Sequence, residues 1–343
     1  MSSRRDLVVV AGSAGGVEAL KRFVGALPPD LPATVLVALH LAPAARSLMP
    51  EILRRHTSMP VHAAADGLHL EPGSVVVAQP DSHLLVVDGR VVLGRGAHEN
   101  GHRPSHDAML RSAALARGPR TVGVVRTGLL DDGAAGRACV ARYGGACLVQ
   151  DPADAEFPSM PRHALEAVPT ATALPLHDLP VEVARTVSAT DVPDPAPVPE
   201  GQRDLDLAEL ASALGGSPLL PDGSRPGTPS AYSCPDCAGV LNVLHDPAGL
   251  TRFRCRTGHA WSSDSLLVKQ AEGVEEALFV ALRTLEEREE LSRRLAQDAT
   301  ERPHSRQLFL ERAEEAARSA RALRALLEAE VAADEPGHDA VAD

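Results

Sequence analysis

Leu7-Val8-Val9-Val10-Ala11-Gly12-Ser13-Ala14-Gly15-Gly16-Val17-Glu18-Ala19-Leu20-Lys21-Arg22-Phe23-Val24 carries the first structural decision of the chain. The apolar run 7–11 reads as a buried strand and 16–26 as an amphipathic helix, joined by a turn of small residues. Small side chains let the backbone bend sharply, so the Ser13 hydroxyl projects from the strand top toward the N-terminus of the next helix, where a nucleophile or an anion fits. A dinucleotide site would need Gly-x-Gly-x-x-Gly and an acid closing the second strand. Here the glycines fall at 12, 15 and 16, and the second apolar run, Thr34 to Leu39, ends in His40, a group suited to proton transfer. A turn that merely lets strand and helix pack closely is the bland alternative.

Working outward, apolar runs at 7–11, 34–39, 74–78, 84–87, 90–93, 121–126 and 146–150 alternate with helical patterns at 16–26, 45–56, 105–117, 133–143, 160–168 and 178–188. This predicts a three-layer α/β/α domain over 5–189 with a mostly parallel sheet. Asp81-Ser82 and Asp88-Gly89 mark turns in a hairpin, so a mixed sheet is expected. Prolines 193, 195, 197 and 199 and the glycines that follow predict a linker over 190–230, with a transient helix or docking segment at Leu205–Leu214. A zinc-ribbon-like module is expected over 231–262 and a helical hairpin over 263–333. Its apolar stripes are Val274, Leu278, Leu282 and Leu285 on one helix, and Phe309, Ala313, Ala316, Ala320, Leu323 and Leu327 on the other. The two pack on each other or on a second copy of the chain.

The 343 residues are 44% hydrophobic, enough for a sizeable core, and the formal charge of −12 disfavours bulk attraction to nucleic acid or anionic lipid. No run is long enough for membrane insertion. Arg4-Arg5 imitates a twin-arginine signal, but the apolar stretch after it is broken at Gly12-Ser13, so a cytoplasmic location and reduced cysteines are expected.

Three polar sites follow strand ends: Ser13, His40, and Asp131 or Asp132 after the run 121–125. Carboxyl edges of open α/β sheets are where crevices form, so these residues are candidates for a Ser-His-Asp triad. Serine needs a base to take its proton, and the base needs a carboxylate to fix its tautomer. Cys234, Cys237, Cys255 and His259 offer three thiolates and an imidazole at a spacing suited to closed, structural zinc, with no cofactor required for catalysis. Cys139 and Cys147 read as buried and inert. Arg252, Arg254 and Arg256 alternate as one solvated strand face opposite Phe253 and Cys255.

With these residues in view, the chain resembles the catalytic domain of the chemotaxis receptor methylesterases, the CheB-type protein-glutamate methylesterases. The family's serine loop matches Ala11 to Gly16, its histidine matches His40 with Pro43, and its Thr-Gly-x-x-x-Asp-Gly-Ala-x-Gly segment matches Thr127 to Gly136. Supporting matches are Gln79-Pro80-Asp81-Ser82-His83, Arg103-Pro104-Ser105-His106-Asp107 and Ser159-Met160-Pro161. The chain order Ser, His, Asp differs from that of α/β-hydrolases. The resemblance implies that Ser13 is the nucleophile, His40 the base and Asp132, not Asp131, the carboxylate. An oxyanion donor is expected near Ala14, and Arg103 and His83 are candidates for substrate binding. His102 and His106 are expected at the surface.

The implied activity is hydrolysis of glutamate methyl esters on methyl-accepting receptors. Deamidation of receptor glutamines and a catalytically weakened scaffold are the alternatives. Leu129-Leu130 stands where the family usually has Met-Gly. The family's receiver domain has no counterpart in the sequence, so regulation is expected from a separate response regulator or another signalling protein.

Overall fold

The computed structural model describes residues 4–40, 47–190, 192 and 197–334; Pro43, Pro193 and Pro195 lie outside them. The chain divides into two units, residues 1–266 and 267–343.

In the first unit the strands are β1 (Leu7–Gly12), β2 (Thr34–Leu39), β3 (Val61–Ala63), β4 (Val75–Val77), β5 (His83–Val87), β6 (Arg90–Gly94), β7 (Thr121–Val125), β8 (Ala146–Gln150) and β9 (Thr172–Leu174). The helices among them are α1 (Gly16–Gly25), α2 (Met49–Arg54), α3 (His106–Arg117), α4 (Ala134–Arg142), α5 (Ser159–Ala167) and α6 (Leu179–Ser188). Seven strands form one sheet in the order β3-β4-β2-β1-β7-β8-β9, and every pairing is parallel. The expected mixed sheet is therefore corrected. Hairpin β5-β6 forms a separate two-stranded sheet, with β6 also bridged to His69, and is closed by Asp88 and Gly89 at φ 48° and 75°, the backbone of a two-residue hairpin turn.

β1 is buried throughout, and its alternate residues feed two cores. Val8 and Val10 pack with Leu20, Phe23 and Val183 of α1 and α6, while Leu7 and Val9 pack with Met109, Leu110 and Val140 of α3 and α4. Such two-sided burial is why the strand reads as an unbroken apolar run, and the result is the expected three-layer α/β/α arrangement. Because β2 and β7 flank β1, the strand order reverses at β1, and the carboxyl ends of these three strands lie side by side.

The segment read as a linker is partly built into the fold. Helix α7 (Gln202–Leu214) packs on α3 and β6, with Glu209 wholly buried. After it come β10 (Thr228–Ser233), β11 (Val240–His245), β12 (Thr251–Cys255) and β13 (Ala260–Ser262), an antiparallel sheet in sequence order. This sheet belongs to the same compact unit as the α/β domain, which corrects the reading of 190–230 as a spacer between separate units.

The reading of Arg252 and Arg254 as a solvated face is corrected as well. Arg252 donates to Glu209 at 2.6 Å, and Arg254 bridges Glu99 at 3.0 Å and Glu209 at 2.9 Å. Arg111 of α3 completes the network with ion pairs to Glu99 and Glu209. Only Arg256 of the three is exposed.

Helix α8 (Ser263–Asp298) begins in the first unit, and its main length forms the second with α9 (Pro303–Asp334). Leu278, Leu282 and Leu285 pack with Ala320, Leu323 and Leu327 along one seam, whereas Val274 is exposed. No helix among the described residues is long and apolar enough to cross a membrane.

Candidate active site

Ser13 stands between β1 and α1. Its N–H donates to Thr127 O at 3.1 Å, and its carbonyl accepts Gly16 N–H at 2.8 Å, which fixes the turn. Gly15 takes φ 67° as the N-cap of α1, a conformation that L side chains rarely adopt, and a Cβ there would meet the Glu156 carboxylate at 2.5 Å. Ser13 Oγ lies 3.0 Å from His40 Nδ1, and His40 Nε2 lies 2.8 Å from Asp132 Oδ2. The structure thus joins the three candidate residues in one hydrogen-bonded chain, with Ser13 and His40 half-buried and Asp132 buried. Asp131 does not take part: its carboxylate accepts the Ser262 hydroxyl at 2.6 Å.

Asp132 is held by more than His40. Its Oδ2 accepts the His106 N–H at 2.7 Å; its Oδ1 accepts Asn100 Nδ2 at 3.1 Å, Ser105 Oγ at 2.9 Å and the Asp107 N–H at 3.2 Å. The two amides are the first of α3, so the carboxylate rests on the positive end of that helix. Burial by itself would raise the Asp132 carboxyl. The His40 hydrogen bond and the neighbouring His106, His40 and His102 rings outweigh it and hold the group well below the usual carboxylate range.

The favour is returned across the helix pair. Asp107, in the first turn of α3, accepts the N–H groups of Gly133 at 3.0 Å and Gly136 at 2.6 Å at the start of α4, and Asn100 Nδ2 at 3.0 Å. Burial first, then the facing Asp132 charge, push Asp107 up to about 8.

His102 is half-buried, and His106 is wholly buried, which corrects its expected surface placement. Their rings stack on His40 with centroids 3.5 and 4.2 Å away. Burial and then the His40 charge lower them to about 4 and about 3, so near neutral pH two uncharged imidazoles flank the His40 ring. His106 is fully buried and bonds Ala38 O through Nε2 at 3.2 Å.

The two candidates for substrate binding are engaged elsewhere. His83 is wholly buried: its Nε2 bonds Ala97 O at 3.0 Å, and its Nδ1 accepts the Ser105 N–H at 3.3 Å, so neither ring nitrogen is left for a ligand. Arg103 pairs with Asp81 through Nε at 3.0 Å and donates to Gly96 O at 2.8 Å, a brace between loops. The Ala14 N–H makes no hydrogen bond among the described residues, while the Ala14 carbonyl accepts Thr127 Oγ1 at 3.2 Å. Leu130 sits at φ 57°, the left-handed region its glycine counterpart would enter freely, and its carbonyl accepts Ser159 Oγ and His163 Nδ1 at 3.2 and 3.0 Å. Leu129 is 53% exposed.

Cys139 is buried and Cys147 half-buried, both with thiols raised mainly by burial, as their apolar setting implied. The sequence reading missed Asn100, which sits on a loop at φ 52° with no motif around it.

A serine, an imidazole and a helix-held carboxylate meet at the switch point of a parallel sheet, which defines the class by its fold and site: an α/β protein with a Ser-His-Asp hydrogen-bonded chain at the carboxyl edge of its sheet. Residues 8–183, just over half of the chain, match the CheB methylesterase family, and the chain belongs to that family. The Thiobacillus denitrificans protein-glutamate methylesterase/protein-glutamine glutaminase is 36% identical over 193 residues, 55% of this chain and 54% of that protein. A Myxococcus xanthus protein of the same description is 37% identical over 199 residues, covering 58% and 55%. The chain thus spans about half the length of the curated relatives it matches. The crystal structure of the Thermotoga maritima CheB methylesterase catalytic domain superposes with a TM-score of 0.51 at 28% identity, covering 53% of this chain and 99% of that one.

Proposed function

We propose that the chain hydrolyses glutamate methyl esters on methyl-accepting receptor proteins. The hydrogen-bonded run from Ser13 through His40 to Asp132 carries this reading. Ser13 attacks the ester carbonyl as His40 Nδ1 takes the hydroxyl proton. His40 returns that proton to the departing methanol, and water then repeats the exchange to release the glutamate. Asp132 keeps the second imidazole nitrogen protonated and stabilises the imidazolium. The Ala14 N–H is the oxyanion donor, a contribution of about 3 kcal/mol in comparable sites.

The relatives' double description supports a second reaction on the same acyl-enzyme, deamidation of glutamine. Methanol and ammonia release from methylated and from glutamine-bearing receptor fragments are the two readouts. Ser13→Ala abolishes both and also abolishes labelling by a fluorophosphonate. Near-parental ester cleavage by Ser13→Ala would overturn the assignment.

A further inference from the structure

We propose that Cys234, Cys237, Cys255 and His259 bind one zinc ion and that this metal, by fixing β13, holds Asn100 in the position from which it orients Asp132. The second half rests on the function proposed above; the first does not.

The donor set fits the ion. The four ligand atoms lie within 4.8 Å of one another. Cys237 Sγ and Cys255 Sγ are 3.7 Å apart, and Cys255 Sγ is 3.4 Å from His259 Nδ1. The S–S separation matches the edge of a tetrahedron with Zn–S bonds of about 2.3 Å, roughly 3.8 Å. Support around the ligands is also in place. The Asp236 carboxylate faces the other His259 nitrogen at 3.8 Å, and the Thr257 hydroxyl lies 3.0 and 3.3 Å from the sulfurs of Cys255 and Cys237. Three thiolates and an imidazole fill a tetrahedron, so the ion is structural.

The ligand His259 is followed at once by β13, whose Ala260 carbonyl accepts the Asn100 N–H at 2.7 Å and whose Ala260 N–H donates to His98 O at 3.1 Å. Two residues on, Ser262 N–H donates to Asn100 Oδ1 at 2.8 Å, and the Ser265 hydroxyl donates to the same oxygen at 3.0 Å. Two donors on Oδ1 leave the amide only one orientation, with Nδ2 turned toward the carboxylates of Asp132 and Asp107. Every hydrogen-bonding position of that side chain is used, and half of them are set by the segment the metal anchors. Asn100 and Ser265 are positioning residues.

The test uses the full chain. Metal analysis is expected to give one zinc per chain, and cobalt(II) in its place to give the visible absorption of a tetrahedral thiolate site. Cys237→Ser, at an exposed ligand, loses the ion. On metal loss the amides of residues 98–107 exchange with deuterium about tenfold faster, and the limiting rate of fluorophosphonate labelling at Ser13 falls about tenfold. Ser265→Ala keeps the zinc but lowers the same limiting rate, with the half-saturating probe concentration unchanged, and Ser265→Thr restores it.

A folded chain that takes up neither zinc nor cobalt, or that holds a Cys237–Cys255 disulfide instead, overturns the metal site. Exchange at 98–107 that is unchanged by metal removal overturns the coupling. Absence of labelling in the parent overturns the hydrolase reading alone, because the metal and exchange measurements do not depend on it.

Discussion

Replacing Asp132 by asparagine separates what the carboxylate does for the fold from what it does for the reaction. Five donors converge on it: His106 N–H and His40 Nε2 on Oδ2, and Asn100, Ser105 and Asp107 N–H on Oδ1. An asparagine must turn its NH2 toward one of these sets. Facing the Oδ1 set, it meets two N–H donors and a hydroxyl. Facing the Oδ2 set, it meets only the His106 N–H, because His40 can change tautomer and accept at Nε2. The second orientation costs less, about 1–3 kcal/mol for one unsatisfied buried donor. That orientation is also the one that disables the site. His40 then carries its proton on Nδ1, facing Ser13, and cannot take another. The wrong tautomer is worth about 10⁴ in rate in triads of this design, close to 5 kcal/mol of barrier. The assay pairs thermal unfolding with the rate of fluorophosphonate labelling at Ser13. Asp132→Asn is expected to fold and melt a few degrees lower while labelling about four orders of magnitude more slowly. Labelling within tenfold of the parent would refute both the tautomer argument and the role of Asp132.

Glu209→Gln leaves Arg252 and Arg254 short of a buried counter-charge and is expected to cost about 3–5 kcal/mol, a fall in Tm on the order of 10 °C; a fall under 2 °C would count against the network. A Cβ at Gly128 would lie 2.7 Å from Met160 Sδ and 3.0 Å from Ser13 Cβ, so Gly128→Ala displaces the nucleophile; labelling slows by about 10- to 100-fold, and an unchanged rate would contradict the close approach. His106, lowered to about 3, stays neutral in the folded chain while the unfolded chain protonates it below about 6.5. Its contribution is therefore intact above pH 6.5 and declines by up to about 1.4 kcal/mol per pH unit as the pH falls toward 3. His106→Gln should flatten the acid limb of stability against pH, and parallel curves for the two proteins would exclude this.

The sequence made the centre of the sheet legible and left its edges obscure, for a physical reason. β1, β2 and β7 are buried on both faces and read as continuous apolar runs, and Ser13 and His40 directly close the first two. β3 and β9 have three residues each and lie at the sheet edges, too short to show a pattern. Ser13, His40 and Asp132 could be found because each follows a strand. Asn100 follows none, and its partners, Asp132 on one side and Ser262 and Ser265 on the other, are joined only by folding. Arg252 and Arg254 misled for a similar reason. Alternating charge on a strand normally faces water, and the counter-charges that bury this pair, Glu99 and Glu209, come from a loop and a helix far off in sequence.

The two buried carboxyls are pushed in opposite directions, Asp132 down and Asp107 up. Asp132 sits on the first amides of α3, where Asp107 lies, and Asp107 on the Gly133 and Gly136 amides that follow Asp132 at the start of α4; with Asn100 donating to both, symmetry alone would leave open which of them carries the charge. The hydrogen bond from His40 and the surrounding imidazoles break that symmetry, holding Asp132 low, and its charge in turn helps push Asp107 up to about 8. Two titratable neighbours driven apart in this way take separate duties: one stays ionised against the base, and the other shares a helix end without competing for its proton. The arrangement depends on the Asn100 amide not rotating, since a carbonyl turned toward Asp132 would oppose the very charge the site requires. The donors from Ser262 and Ser265 forbid that rotation. The small sheet β10–β13 is therefore tied, through one amide, to the carboxylate that bonds His40.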